Sequence, residues 1–315
     1  SFHVTGVQTC ALPISGNYII KQDQWGNMFF ELVDSFELPA KRYGDNVRNT
    51  DRIMNTFLNR DVSTGVMLAG EKGSGKSLLA KTLSATAAEQ DIPTLIINAP
   101  WCGDSFNTFI QDIQQPCIVL FDEFEKVYDR DQQESILTLL DGVFPTKKLF
   151  VFTCNDKWRV DQHMRNRPGR IFYMIDFKGL SIEFIEEYCN DNLINKSHID
   201  TICKLSNLFS QFNFDMLKAL VEEMNRYNET PQEALELLNA KPEFDEGNKF
   251  KVQLQIGSTI LKETDLYNQS WAGNPLNSKF NIEYKDWPEH PEDSEDYEWD
   301  TKRFAKTDLK NVDAK

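Results

Sequence analysis

Eight residues, Gly70-Glu71-Lys72-Gly73-Ser74-Gly75-Lys76-Ser77, constrain this chain more than any other stretch. They fit the pattern G-x-x-x-x-G-K-[ST]. They also stand between an apolar run, Gly65-Val66-Met67-Leu68-Ala69, and a good helix opening, Leu78-Leu79-Ala80-Lys81. Glycines in such a loop let successive backbone N–H groups converge on phosphate oxygens, and the helix that follows adds the positive end of its dipole. Gly70, Gly73, Ser74, Gly75, Lys76, Ser77 and Leu78 are therefore candidate residues for binding a nucleoside triphosphate. Lys76 is expected to reach the outer phosphates and the Ser77 hydroxyl to ligate Mg2+.

Apolar runs recur along the chain at 94–98, 117–121, 149–153 and 171–175, with helical patterns between them. Uninterrupted apolar strands separated by helices predict an α/β fold whose five-stranded parallel sheet is covered on both faces. Upstream, residues 28–33 are apolar, Tyr43-Gly44 makes a turn, and Val47, Ile53, Met54, Phe57 and Leu58 fall on one helical face. From Ser181 the pattern is helical only, carried by Ile182, Ile185, Tyr188 and Cys189, then by Met216, Leu217, Leu220, Val221 and Met224. Pro231 opens a short helix through Leu238. Residues 250–256 alternate with period two, as a half-buried strand does, and the tail from Asp286 is acidic and aromatic. The expected organisation is a leading segment with a first helix at 15–60, an α/β core at 61–180 and a small helical subdomain at 181–242. An acidic C-terminal extension at 243–315 is expected to be partly β and partly disordered.

The run at 117–121 ends in Asp122-Glu123. Paired carboxylates at the carboxyl edge of a buried strand lie where ligands sit in such sheets. Asp122 is expected to hold magnesium through water, and Glu123 to polarise an attacking water as general base.

With these motifs in order, the chain resembles an AAA ATPase module over about residues 40–240: a P-loop NTPase core with a small helical lid. What the resemblance implies is hydrolysis of ATP with Mg2+. Asn155, at the end of the fourth strand, falls where the family places its sensor asparagine. Arg165-Asn166-Arg167-Pro168-Gly169-Arg170 resembles the family's R-P-G-R, which implies that Arg167 and Arg170 act as arginine fingers on a neighbour's γ-phosphate in a homo-oligomer, most simply a hexamer. The interval from Asn155 to Arg167 is one residue longer than the family's usual spacing, and Arg165 is also available. Trp101-Cys102-Gly103 resembles the pore loop with which family members grip a polypeptide, an aromatic offering contact area without reading side chains. Tyr43-Gly44 falls where the family's backbone meets adenine. Phe214-Asp215-Met216-Leu217-Lys218 resembles the G-A-D-L stretch, with Asn213 where Gly is usual and Lys218 as a candidate lid sensor.

The formal net charge of -15, with no long Lys/Arg cluster in the central region, disfavours nucleic acid as a partner and favours a protein. No apolar run approaches the roughly 20 residues that span a bilayer, so no membrane partner is expected. Six scattered cysteines without a CxxC pair fit a reducing, cytoplasmic setting, that of a bacterial host if the source is viral. Residues 7–14, Val-Gln-Thr-Cys-Ala-Leu-Pro-Ile, match the translation of a common sequencing adapter. Residues 1–14 are therefore expected to be an artefact. His163 and His198 show no ligand spacing. The leading functional expectation is a ring that remodels or threads a protein; the alternative is a nucleotide-switched loader or scaffold in viral genome replication or particle assembly.

Overall fold

A computed structural model describes residues 15–144, 146–209 and 212–239, and the backbone of six short strands between 249 and 304. The chain divides into two compact units, Ser1–Tyr188 with Asn213–Met216, and Cys189–Phe212 with Leu217–Lys315. The predicted artefact at 1–14 lies outside the described residues.

In the first unit the elements run β1 (Asn17–Gln22), β2 (Met28–Val33), α1 (Asn46–Asn59), β3 (Thr64–Gly70), α2 (Lys76–Ala88), β4 (Thr94–Ile97), α3 (Asp104–Gln111) and β5 (Cys117–Phe121). They continue with α4 (Phe124–Val127), α5 (Arg130–Leu140), β6 (Lys148–Cys154), α6 (Gln162–Arg165), β7 (Tyr173–Phe177) and the start of α7 (Ile182–Asn192). The sheet order is β2-β1-β4-β5-β6-β3-β7. All neighbours pair in parallel except β1 and β2.

Alternation along β3 shows why its centre is uninterruptedly apolar. Met67 and Ala69 enter one core with Val119, Phe121, Phe150 and Phe152, while Val66 and Leu68 enter the other with Leu79, Leu83, Ile118 and Val151. Both faces are covered, so positions 66–69 are all apolar, and the one polar residue of the strand, Thr64, stands at its start. At up to ~3–5 kcal/mol lost for a buried Phe cut to Ala, these two layers dominate the unit's stability. Lys148 is a fully buried charge: its ammonium donates to the carbonyls of Ile113 and Gln115 and to Thr146 Oγ1, fastening the start of β6 to the turn before β5.

Three expectations change. The sheet has seven strands, because residues 17–33 form an antiparallel hairpin that pairs through β1 with β4, beyond the five predicted strands. Its turn is held by Asp23, whose carboxylate accepts from the backbone of Trp25 and Asn27 and from the Asn27 amide. Secondly, α1 turns Thr50, Ile53, Met54 and Phe57 inward and leaves Val47 and Leu58 partly in solvent. Thirdly, β7 begins at Tyr173, since Arg170 and Ile171 donate backwards to Arg167 O in a turn.

The second unit holds the rest of α7, α8 (Ile199–Ser206), most of α9 (Phe214–Tyr227) and α10 (Pro231–Leu237). Its buried residues include Leu193, Ile202, Leu205, Leu217, Leu220, Val221, Met224 and Leu235. Asn225 joins two segments, donating to Asn192 O and accepting from the Ile194 N–H. Thr230 and Glu233 make a capping box that starts α10, with Pro231 in its first turn. Further on, β8 (Lys249–Lys251) pairs with β11 (Ser270–Ala272), β9 (Gln255–Ile256) with β10 (Thr259–Ile260), and β12 (Phe280–Lys285) with β13 (Trp299–Phe304), all antiparallel. Residues 250–256, expected as one strand, therefore contribute to two pairs. Among the described residues, no helix is long and apolar enough to cross a membrane.

Candidate active site

The loop between β3 and α2 has the backbone its glycines predict. Gly75 caps α2 in the left-handed region (φ 100°), and Gly73 is also left-handed (φ 74°), a conformation that costs L-residues roughly 1–2 kcal/mol. Lys76 is buried at 6% exposure; its ammonium donates to Gly70 O (2.5 Å), Glu71 O (2.7 Å) and Asn155 Oδ1 (3.2 Å). Burial lowers its pKa from the usual lysine value, and the Glu125 and Asp122 carboxylates oppose that shift. Ser74 Oγ is buried with no hydrogen-bond partner among the described residues, which fits a cradle made for a phosphate oxygen. Ser77 is exposed and Leu78 half-buried at the start of α2.

Sheet register brings the remaining groups together. Phe121 pairs with Phe152, so Asp122 and Thr153 come next to each other; Ala69 pairs with Cys154, so Gly70 stands beside Asn155. The buried Thr153 hydroxyl donates to Asp122 Oδ1 (2.6 Å) and accepts from Glu123 N (2.9 Å). Asn155 donates from its backbone (2.9 Å) and its side-chain amide (3.2 Å) to Oε1 of Glu125, a carboxylate only 6% exposed. Glu123 has a left-handed backbone (φ 48°) and pairs with Lys126 at 2.6 Å. That hydrogen bond, aided by the positive Lys72, holds its carboxyl below the usual range.

Thr153 and Glu125 were not singled out in the sequence. Each had a signal, a polar residue closing an apolar strand in one case and a third carboxylate within four residues in the other. Asp122 and Ser77 offer hard oxygen donors of the kind Mg2+ takes. The described residues hold no group of three or more His, Cys, Asp or Glu able to bind a metal, so a cation here would draw most of its ligands from water and phosphate.

Tyr43 and Gly44 lie in an aromatic group. The Tyr43 ring is 5.8 Å from Phe184 and 5.1 Å from Tyr188, and both of those meet Phe214. Phe214 in turn donates its N–H to Gly73 O at 3.0 Å. Flat apolar faces next to a phosphate loop can stack on a nucleobase. Lys218, on the part of α9 in the second unit, makes an exposed i,i+4 pair with Glu222.

The arginines separate clearly. Arg170 is only 12% exposed and holds Asp141 with two nitrogens while donating to His163 O. Arg165 lies over the Trp158 ring at 4.8 Å and donates to Val160 O. Arg167 is 63% exposed, 3.6 Å from Asp141, on a groove shared with Glu134, Leu137, Gln162 and Asn166. The expectation that Arg170 projects as a second finger does not fit this placement, because its guanidinium is committed to its own chain.

The Trp101 loop is also held inward. Trp101 and Cys102 are partly buried against the first core, the indole nitrogen is buried, and Tyr128 donates to Trp101 O. Gly103 donates to Ser135 Oγ and starts α3. In this arrangement the ring expected to grip a polypeptide packs on its own domain instead.

Residues 66–178 match the family model described as ATPase family associated with various cellular activities (AAA). The chain is 26% identical to a cell division cycle ATPase of Plasmodium falciparum, over 67% of this chain and 18% of that protein. It is 28% identical to the peroxisomal ATPase pex1 of Schizosaccharomyces pombe, over 50% of this chain and 19% of that one. It is 27% identical to the ATP-dependent zinc metalloprotease FtsH of a Synechococcus strain, over 47% and 27%. The chain thus spans less than a third of the length of each of these relatives. The loop–strand geometry and these similarities lead to one conclusion: residues 66–178 form an AAA ATPase domain with a P-loop nucleotide site.

Proposed function

We propose that this chain is one subunit of an ATP-driven ring acting on protein substrates, each active site being completed by an arginine from the neighbouring copy. The observation that carries the reading is where the cations stand. Those around Asp122 and Glu123 are lysines, Lys72, Lys76 and Lys126, whereas Arg167 presents its guanidinium to solvent on the turn after α6. A trans arginine on a transferring phosphoryl group is worth on the order of 10³-fold or more in rate.

Backbone N–H groups of the 70–77 loop hold the phosphates, and Lys76 leaves its loop carbonyls for the phosphate oxygens. Asn155, fixed by Glu125, orients the water, and Glu123 takes the proton at its carboxylate. Ser77 and Asp122 would hold Mg2+, which, when bound, neutralises charge developing on the phosphates. Support for a protein substrate comes from the net charge of -15 and from the similarity to a relative named as an ATP-dependent protease.

The test is turnover against protein concentration for wild type and Arg167→Ala, alone and mixed. Arg167→Ala alone should lose turnover, and in excess it should poison wild type. A concentration-independent rate without poisoning would refute shared sites. Packing of Trp101 on its own domain favours a second reading, a nucleotide-switched loader or scaffold in which nothing is gripped. Trp101→Ala that hydrolyses ATP but cannot process a protein would support threading, and unchanged biological activity the loader.

A further inference from the structure

Gln133 stands near the start of α5 and is only 4% exposed, yet its amide bonds to backbone outside that helix. Its nitrogen donates to Tyr128 O (3.1 Å) and Arg159 O (3.3 Å), and its oxygen accepts from the Asp161 N–H (2.9 Å). A polar group this buried is kept where its bonds are made. Two segments distant in sequence are thus joined through one side chain. Tyr128 closes α4, the helix that follows Asp122 and Glu123, and donates its N–H to Phe124 O. Residues 159–161 lead into the turn that carries Arg167.

Between Asp161 and Arg167 the backbone has little play. Asp161 caps α6 through the His163 N–H, its carbonyl accepts from Met164 and Arg165, and Asn166 donates to Gln162 O. Val160 and Met164 are buried in the first core. Past Arg167, Arg170 is held by Asp141, the residue that closes α5. One helix therefore grips the arginine-bearing segment at two points eight residues apart, about 12 Å along its axis. Arg167 lies between those grips, with its guanidinium in solvent.

We infer that Gln133 is a positioning residue for Arg167: by fixing residues 159–161 to the chain that follows the acidic pair, it sets where the guanidinium stands for the neighbouring copy's nucleotide. The inference rests on the shared active site proposed above. Gln133 acts through Arg167, so its loss falls on the neighbour's site and not on its own.

Gln133→Met keeps the length of the side chain and deletes its hydrogen bonds. Its kcat should fall by on the order of 100-fold, the cost of misplacing a group by about 1 Å, with nucleotide affinity within about twofold of wild type. Gln133→Glu keeps the acceptor for Asp161 and loses both donations; it should show the same split, and it carries the test where the methionine variant does not fold. The deciding readout is mixing. Glu123→Gln lacks the base in its own site but presents an intact Arg167. Mixed in equal amounts with Gln133→Met, it should give turnover well above the sum of the two alone, because Gln133→Met sites then meet a correctly placed arginine. Mixing Gln133→Met with Arg167→Ala should restore nothing, since neither supplies one. No rescue by Glu123→Gln, equal rescue by Arg167→Ala, or wild-type kcat in the Gln133 variants would overturn the inference. Arg167→Ala with Glu123→Gln is the reference pair: if that pair restores no turnover, the shared active site fails instead.

Discussion

One oxygen of Glu125 accepts both N–H donors of Asn155, backbone and side chain, and thereby turns the amide oxygen toward the Lys76 ammonium. The Asn155 side chain is thus aimed by a neighbour from the strand-end beside it. Glu125 is buried, and its other oxygen has no partner among the described residues, so the carboxylate is kept at a cost in desolvation. Glu125→Ala would leave a buried backbone N–H unpaired, at about 1–3 kcal/mol of stability, and release the Asn155 amide. The expected result is a fall in kcat of about 100-fold, the lower end of what general acid–base catalysis contributes, with nucleotide affinity changed little. Calorimetric binding together with steady-state turnover checks this; undiminished kcat would remove Glu125 from the mechanism.

Thr153 bridges the two acidic residues, its hydroxyl donating a hydrogen bond to Asp122 Oδ1 and accepting one from the Glu123 N–H. Thr153→Val keeps the shape and deletes both bonds. Turnover should drop at least about tenfold, with a higher Mg2+ concentration needed for half-maximal rate, because one charge-assisted bond is worth roughly 1.5–3 kcal/mol. Thr153→Ser should recover most of both. An unaltered magnesium requirement in Thr153→Val would show that the hydroxyl does not organise Asp122.

These contacts explain what could be read from sequence and what could not. The five core strands were legible because burial on both faces keeps their central positions apolar, as Val66–Ala69 of β3 and Leu149–Phe152 of β6 show, with polar residues only at the ends. The hairpin was not, since β2 exposes Phe29 and Leu32 at the sheet edge and β1 ends in Lys21-Gln22, so neither strand alternates cleanly. The loop glycines, Lys76, Asp122 and Glu123 were named from local spacing alone. Thr153 and Glu125 depend on register between β5 and β6, which no local pattern encodes. Arg167 and Arg170 were the fingers expected from one basic turn, with Arg165 also available; Asp141, 24 residues before Arg165 in the chain, separates Arg167 from Arg170 only once α5 is folded beside them.

The Asp141–Arg170 pair gives a pH dependence with a definite sign. Arg170 holds the Asp141 carboxyl below its ordinary value. A group depressed in the folded state contributes stability above its unfolded pKa and loses it as pH falls through the folded one. Asp141 is 43% exposed, so the contribution is discounted to about 0.5–1 kcal/mol. Asp141→Asn should be less stable than wild type by that amount at pH 7, and the gap should close below about pH 4. Urea unfolding of both proteins across that range tests it; a gap that persists at acid pH would mean that packing of the side chain, and not its charge, was lost.

Gly73 is where the phosphate loop meets the chain returning at 213–216. A Cβ on Gly73 would lie 2.5 Å from Asp215 Oδ2 and 3.2 Å from Asn213 Oδ1, and its φ of 74° is strained for any L side chain. Two costs therefore fall on Gly73→Ala, one steric and one conformational, the second roughly 1–2 kcal/mol. Relief by swinging the loop would disturb the N–H groups that face the phosphates, since Phe214 bonds the Gly73 carbonyl. Nucleotide affinity should fall at least about tenfold, the equivalent of 1.4 kcal/mol. Asp215→Ala on the same background removes the nearest clashing atoms but leaves the backbone strain, so the double variant should recover part of the loss and not all of it. Full recovery would assign the whole effect to the clash, and no recovery to the backbone; wild-type affinity in Gly73→Ala would mean that the loop rearranges before it binds.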